Sequence, residues 1–411
     1  TLKSARIIIN QCSEGGIDHG NYVTKGMAEV LAAYNCALIA DMFGDAPCSQ
    51  AALIDENGSP VYLTPKMDKQ EEIYTQAMQY LDDAIADLQK EDLIDPEAQD
   101  LLYQGDAEKW LKLAYGLKAR YTMHLLKRSA NKDADMEKVL EYVNNSFESA
   151  EEQAAFDVYD ANNINPLYGF FVARAGLGAS ESMRSKLAEY NDPRLSRAFI
   201  TKQGTSGKEQ APGTADNAVY APNGTPEQGT SKYGTSLFMY SISAPTLLLS
   251  YHELKFLEAE ALCRLERDAK SALKDAVVAG LLNAENSFTI SRKELGKTLI
   301  NAASSITEAE AESYFDNTIE AKYTAEPLKT TMTQKYFALW GASGEATESY
   351  NDVRRMKGLG ENFIELKNPN SFPLRCPYGN SDTTTNAEVK AAYGNGQYVY
   401  SENVWWAGGS R

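Results

Sequence analysis

The stretch Tyr251–Gly280 constrains the fold more than any other part of the chain. Leu254, Leu257, Ala261 and Leu265 recur at steps of three or four and share one helical face. A polar break at Glu266–Asp268 separates them from Ala269, Leu273, Ala276 and Val277, which mark a second amphipathic helix. Small residues on both segments, Ala259, Ala261, Ala269, Ala272 and Ala276, let two antiparallel helices approach closely. One hairpin cannot bury both of its faces, so it requires neighbours of the same kind, as helical-repeat units do.

Such neighbours are legible upstream. Lys25–Phe43 carries Met27, Val30, Leu31, Tyr34, Leu38 and Met42 on a broad face and stops at Gly44-Asp45, with Pro47 beyond. Lys69–Gln89, Asp106–Lys127 (with Asp106 as its cap) and Asp135–Phe147 follow with the same period. Ser180–Tyr190, Ser291–Asn301, Glu308–Ile319, Lys329–Trp340 and Thr347–Lys357 read as further helices, and Ala5–Cys12 as an apolar stub. Three stretches lack helical period: Ser49–Pro65, Phe156–Gly178, read as loop, and Lys202–Thr235, rich in Gly, Pro, Thr and Asn. The expectation is an all-α fold of tetratricopeptide-like hairpins with a loop-rich second half. Residues 1–411 form one domain, with the scaffold at 21–150 and 244–285 and loop-rich regions at 49–65, 156–243 and 358–411.

Composition narrows the partners. A chain of 411 residues that is 43% hydrophobic builds a sizeable core, and a net charge of −17 disfavours nucleic acid, which wants clustered Lys and Arg. Five cysteines, none in a CxxC pair, give no zinc knuckle and no disulfide framework; Cys36 and Cys263 read as packed thiols. No stretch reads as an apolar membrane span. The chain starts at Thr1 in structured-looking sequence, so a processed or missing N-terminus is expected, and any export signal or lipid anchor belongs to that part.

Several segments, in order, resemble the SusD/RagB family of outer-membrane nutrient-binding lipoproteins of Bacteroidetes. They are Ile39–Ala51 with its Phe43-Gly44-Asp45-Ala46-Pro47 turn, Ile73–Leu88 with Asp82-Asp83, and Asp106–Arg128 with Trp110, Leu113 and Leu117-Lys118-Ala119-Arg120. Then come Asp192-Pro193-Arg194, Glu253–Arg264, Gln334-Lys335-Tyr336, Tyr350-Asn351-Asp352 before Arg354-Arg355, Phe372-Pro373-Leu374-Arg375 before Tyr378, and Val404-Trp405-Trp406. The chain departs from the pattern at Val353, where the family often has Trp, and at Gly379, where it usually has Pro. The resemblance spans nearly the whole chain. It implies a cell-surface protein of the outer membrane that captures a nutrient, usually a glycan, and acts as a lid over a SusC-like TonB-dependent transporter. It also implies an N-terminal lipid anchor that this chain lacks, no catalysis and no cofactor.

Glycan capture needs flat apolar ring faces with amides and carboxylates for the hydroxyls. The aromatic residues outside helical patterns are Tyr62, Tyr168, Phe170, Tyr220, Tyr233, Phe372, Tyr378, Tyr393 and Trp406. The candidate ligand residues are Phe43, Asn57, Tyr62, Asn163, Tyr168, Phe170, Tyr220, Tyr233 and Trp406, chosen for loop position. Taken one at a time, packing is the simpler role for each. Trp110 and Trp340 read as core, and Arg194, Arg354, Arg355 and Arg375 as partners of carboxylates or of the tail. The rival readings are a glycan hydrolase and a scaffold of the same fold that binds peptide. A hydrolase needs two carboxylates across a cleft, and 57 acidic residues single out none; Asp41, Asp45 and Asp55 fit caps and turns better. His19, His124 and His252 lie far apart and no HExxH, GxSxG or GxGxxG occurs, so no histidine-ligated metal site and no catalytic residues are expected; oxygen-ligated calcium stays open, with no EF-hand loop to mark it.

Overall fold

The structure is a computed structural model that describes residues 1–174, 177–203, 209–213, 219–224, 232–368, 371–394 and 398–410. The chain divides into two compact units. One holds residues 1–148, 351–362 and 371–411, the other residues 149–350 and 363–370.

The first unit begins with α1 (Leu2–Cys12), α2 (Tyr22–Phe43), α3 (Gln70–Asp87), α4 (Ala107–His124) and α5 (Lys132–Asn144). Helix α2 packs between α1 and α3 and also meets α4. By length and composition it could cross a membrane, which corrects the expectation that no segment could. Its Val30, Ala32, Ala33, Cys36, Ala37 and Ala40 are instead buried in the unit. Asp106 caps α4, its carboxylate accepting the Lys109 N–H at 3.1 Å, as the sequence indicates. Helix α5 starts earlier than expected because Asn131, accepting from Ala134 N–H at 3.2 Å, supplies the cap. Trp110 is core, its indole N–H bound to Asp100 at 2.7 Å.

The second unit contains α6 (Pro166–Arg174), α7 (Glu181–Glu189), α8 (Tyr251–Arg264), α9 (Lys270–Leu295), α10 (Glu308–Tyr314), α11 (Glu320–Ala325) and α12 (Pro327–Ala338). Helices α8 and α9 are the expected hairpin, capped where Ser250 accepts the Glu253 N–H at 3.1 Å. Ala259, Ala261 and Ala276 are fully buried, and a Cβ added at Gly280 of α9 would stand 2.9 Å from the Ala338 Cβ of α12. Glycine here permits the close approach of two helices. Helix α9 runs on through Leu281, Ala284 and Phe288, so the separate helix expected at Ser291–Asn301 is its last turn followed by a short 3₁₀ segment. A five-residue π-turn, Phe315–Ile319, joins α10 to α11. Phe238, Phe256, Phe288 and Phe315 fill the core, and Trp340 packs against its edge on Phe199 and Phe238.

Short strands line this unit. β1 (Ala154–Phe156) pairs antiparallel with β5 (Thr246–Leu249), while β2 (Phe199–Gln203) lies between β3 (Glu209–Pro212) and β4 (Thr235–Ser236), antiparallel to both. Of the excursion Lys202–Thr235, residues 204–208, 214–218 and 225–231 lie outside the described residues.

Helix α13 (Ala346–Leu359), α14 (Asn380–Thr385) and α15 (Ala387–Tyr393) complete the order. From Asn351 onward α13 belongs to the first unit, where the tail is tied down: the Trp406 N–H donates to the Gln70 side-chain carbonyl at 2.9 Å, and the Gln70 amide donates to the Ala40 carbonyl.

Candidate ligand-binding site

The stretch Phe156–Gly178, expected as loop, contains helix α6. Asn165-Pro166 reads as a break, yet proline at the first helical position is favourable because its missing N–H needs no partner there. Asn165 is buried, and its side-chain oxygen accepts from the Leu167 N–H at 2.8 Å. Its amide donates to the carbonyls of Ala244 (2.8 Å) and Ala342 (3.2 Å), and its own N–H to Ile242 (2.8 Å). One side chain therefore caps α6 and fastens its start to the body of the second unit.

Helix α6 turns apolar groups outward. Phe170 is 52% exposed and Val172 61%, large values for residues that folding ordinarily buries. Tyr168 is half-buried and donates its hydroxyl to Glu294 at 3.2 Å; burial, then the Glu294 charge, raises the hydroxyl's pKa. Asn163 lies exposed in the turn before the helix, where the Asp160 carboxylate accepts the N–H groups of Asn162 and Asn163 at 2.8 and 2.7 Å.

Beside α6 lies a cleft of about 270 Å³. Phe171 and Val172 form one wall, Ile200 and Thr201 of β2 with Gln210 of β3 another, and Tyr233, Thr235 and Tyr240 complete it. Phe171 meets Tyr240 edge-on at 5.2 Å, and the Gln210 amide donates to the Tyr240 hydroxyl at 2.8 Å. Lys202 stands at the lining, and Lys232 lies 5.3 Å from the ring centre of Tyr233. Rings, an amide, hydroxyls and one ammonium suit a neutral polyol. Among the described residues the lining contains no carboxylate.

Of the expected residues, Tyr233 lines the cleft, Tyr168 and Phe170 lie on α6, and Asn163 lies in the turn before it. Phe171, Tyr240 and Gln210 line the cleft with Tyr233 and are not among the expected residues; Asn-Pro at a helix start is the available signal. Tyr220, also in this unit, is a packing residue: its ring meets Phe199 edge-on at 5.3 Å and the Arg184 guanidinium lies 5.3 Å away. A second groove, about 460 Å³, runs beside α8 and α9 past Tyr251, Asn283 and Asn286. Among the described residues its rings are Tyr251 and the buried His252, fewer than the Phe171, Tyr233 and Tyr240 of the cleft at α6.

The remaining candidates lie in the first unit. Phe43 stacks on Tyr378 (5.7 Å, 24°), whose hydroxyl donates to the carbonyls of Phe43 (3.2 Å) and Asp45, so the pair braces the Phe-Gly-Asp turn. Asn57 is exposed in a turn held by Asp55, which accepts from Asn57 and Ser59 N–H at 2.9 Å each. Tyr62 is exposed between Val61 and Leu63. Val61, Ile54 and Asp55 help to wall a cavity of about 730 Å³ with Arg6, Asn10 and Tyr80. Trp406 is a correction: it is fully buried, donates its indole N–H to Asp41 at 3.0 Å and stacks on His124, leaving no face for a ligand. The side chain of Tyr393 lies outside the described residues.

The flagged acidic and basic residues have structural work. Asp41 accepts from Tyr74 and Trp406. Asp45 accepts the Gln70 N–H and the Lys69 ammonium, each at 2.8 Å, at the start of α3. Arg194 forks onto Asp192 at 2.9 and 2.7 Å, and Arg354 donates to the Asp41 carbonyl at 2.7 Å.

A family model described as starch-binding and associating with the outer membrane, of the SusD-like type, matches residues 2–378. No curated protein matches the chain. A SusD/RagB family protein from Bacteroides thetaiotaomicron VPI-5482 is 67% identical over 100% of this chain and 86% of its own, with a TM-score of 0.95. At the level of fold alone, a SusD homolog from Bacteroides fragilis NCTC 9343 (19% identical, 99% and 88% covered, TM-score 0.74) and a chitin-binding protein (21% identical, 99% and 85% covered, TM-score 0.74) are similar.

Proposed function

We propose that this chain, which belongs to the SusD/RagB family of Bacteroidetes, captures an oligosaccharide at α6 and delivers it to a SusC-like TonB-dependent transporter in the outer membrane. The family is one of binding proteins associated with the outer membrane. The observation that carries the reading is Phe170, 52% exposed on a helix whose start is fixed by a buried asparagine, beside a cleft of rings, amide and hydroxyls. Exposed on a rigid element, an aromatic face loses little freedom when a sugar ring stacks on it. A neutral sugar also loses little from the acidic surface of the chain. In the family setting, a lipid anchor would hold the protein at the cell surface. The name of the chitin-binding relative concerns that protein, and the present reading rests on the side chains at α6.

Calorimetry of the purified protein against malto-, chito- and xylo-oligosaccharides, repeated with Phe170→Ala and Tyr233→Ala, tests it. Saturable binding to one series, weakened at least about tenfold in these variants (about 1.4 kcal/mol), is the expected result. Binding that survives both substitutions moves the site away from α6. Binding of peptides with no glycan response overturns the substrate class.

A further inference from the structure

Two of the five cysteines meet inside the first unit. The sulfurs of Cys36 and Cys48 lie 3.2 Å apart, closer than two sulfur atoms in ordinary non-bonded contact, and both residues are buried. Cys36 sits in the middle of α2, and Cys48 opens the excursion Ser49–Pro65. Neither backbone position is free to drift. The Cys48 N–H donates to Asp68 at 2.9 Å, its carbonyl accepts from Arg6 at 2.9 Å, and the next residue, Ser49, is bound to the same Asp68 carboxylate through N–H and hydroxyl. The other three cysteines have different nearest partners. Cys263 faces the Thr331 hydroxyl at 3.7 Å, Cys376 the Met42 sulfur at 3.8 Å, and Cys12 is buried in α1.

We propose that Cys36 and Cys48 are a redox site of this protein and are joined as a disulfide once the chain has left the cytoplasm. The compartment follows from the family's association with the outer membrane, where disulfides persist. The oxidant is a disulfide-bearing oxidoreductase. One of the two thiols gives up its proton and attacks the oxidant's disulfide, whose far sulfur leaves as a thiolate. The thiolate of the other cysteine then attacks the first and expels the oxidant's second sulfur. Two protons and two electrons leave the pair, and the oxidant departs as a dithiol. Because both sulfurs are buried in the folded unit, the exchange takes place before the excursion closes over α2.

The bond would root one wall of the cavity in this unit. Ser49, Ala52, Leu53, Ile54, Asp55 and Val61, all just beyond Cys48, line the 730 Å³ cavity of this unit, so the linkage fixes the near end of that wall to α2.

The test is thiol counting on residues 1–411 exported to a bacterial periplasm and denatured directly into an alkylating reagent without reductant. Intact mass with three of five cysteines alkylated, and a digest containing a peptide pair linked through Cys36 and Cys48, is the expected result. Prior reduction in denaturant should raise the count to five. Five alkylated cysteines without reduction, or a link involving Cys12, Cys263 or Cys376, overturns the proposal. Cys48→Ser adds a second arm: all four remaining cysteines, Cys36 included, should alkylate without reductant, and any protection of Cys36 there overturns the pairing.

Discussion

The indole N–H of Trp406 donates to the carboxylate of Asp41 at 3.0 Å across 365 positions of sequence. Around that bond the first unit assembles a buried polar network. The Tyr74 hydroxyl bridges Asp41 and His124, the imidazole stacks on the indole at 5.8 Å, and the Arg354 guanidinium lies 4.9 Å from the same ring. The tail closes the unit through this group of side chains.

Trp406→Phe keeps the ring's bulk and removes the donor. With Asp41 buried, its carboxylate loses one of the two donors on that oxygen, the Tyr74 hydroxyl remaining, and a lost hydrogen bond to a charged group costs about 1–3 kcal/mol. Urea unfolding monitored by circular dichroism should show that loss, with no change in sugar affinity. A variant as stable as the parent would mean that the network is not a stability element.

Asn165→Ala removes the cap of α6 and leaves the carbonyls of Ala244 and Ala342 without their donor. The expected loss is at least about 2–3 kcal/mol, a cap plus two buried acceptors. Sugar affinity should fall with it, because the rings of α6 lose their fixed placement. Phe170→Ala is the matched control: the side chain is exposed, so its stability should stay within about 0.5 kcal/mol of the parent. If Asn165→Ala binds sugar as the parent does, the positioning argument fails.

Much of the scaffold is legible from periodicity, since α3 and α9 bury one face each over many turns, whereas α4 is buried on all sides from Gly116 to His124. What the sequence conceals has physical causes. Helix α6 begins at Asn165-Pro166, a pair that serves equally as a turn and as a helix start, and tertiary bonds from Asn165 decide between them. Helix α9 continues past Gly280 because Leu281, Ala284 and Phe288 extend its buried face. Trp406 lies in a segment without long helices, where burial depends on distant partners such as Asp41. The roles of Asp55 and Arg194 are readable because turns and forked ion pairs are local, whereas Asp45 holds the start of α3 from well upstream in the chain. The Cys36–Cys48 approach has no sequence signature, since it depends on where the excursion returns to α2.

Arg194 and Asp192 form a buried pair in the second unit, with side chains 2% and 0% exposed. Arg194 also donates to the Phe337 carbonyl at 2.7 Å, and the Tyr314 hydroxyl donates to Asp192 at 3.3 Å. Arg194→Met fills similar space but strands the Asp192 charge, which costs about 3–5 kcal/mol. Replacing both, as Arg194→Met with Asp192→Asn, should recover part of that loss. Equal destabilisation by the single and double variants in urea titrations would rule out the stranded charge as the cause.

Glu29 predicts how stability varies near neutral pH. It is buried on α2 with one oxygen 2.9 Å from the Lys25 ammonium and the other without a hydrogen-bond partner among the described residues. Lys25 also reaches Asp87 at 2.5 Å. Burial alone would raise Asp87, but its hydrogen bonds from Lys25 and Lys90 outweigh this and hold it low. Asp87 is thus the main counter-ion of Lys25, and burial pushes Glu29 up to about 7 despite the same lysine. The sign follows from proton counts. Between the ordinary carboxylate range and about pH 7 the unfolded chain has released this proton while the folded chain keeps it. Stability contributed by the group is therefore full below that range and falls as pH rises, by about 2–3 kcal/mol in total. Glu29→Gln keeps the shape and stays neutral. Relative to the parent, its unfolding free energy should be similar at pH 5 and higher by about 1–3 kcal/mol at pH 8. Asp87 titrates below this window and does not obscure the comparison. An offset between the two proteins that is the same at both pH values would show that Glu29 ionises normally in the fold.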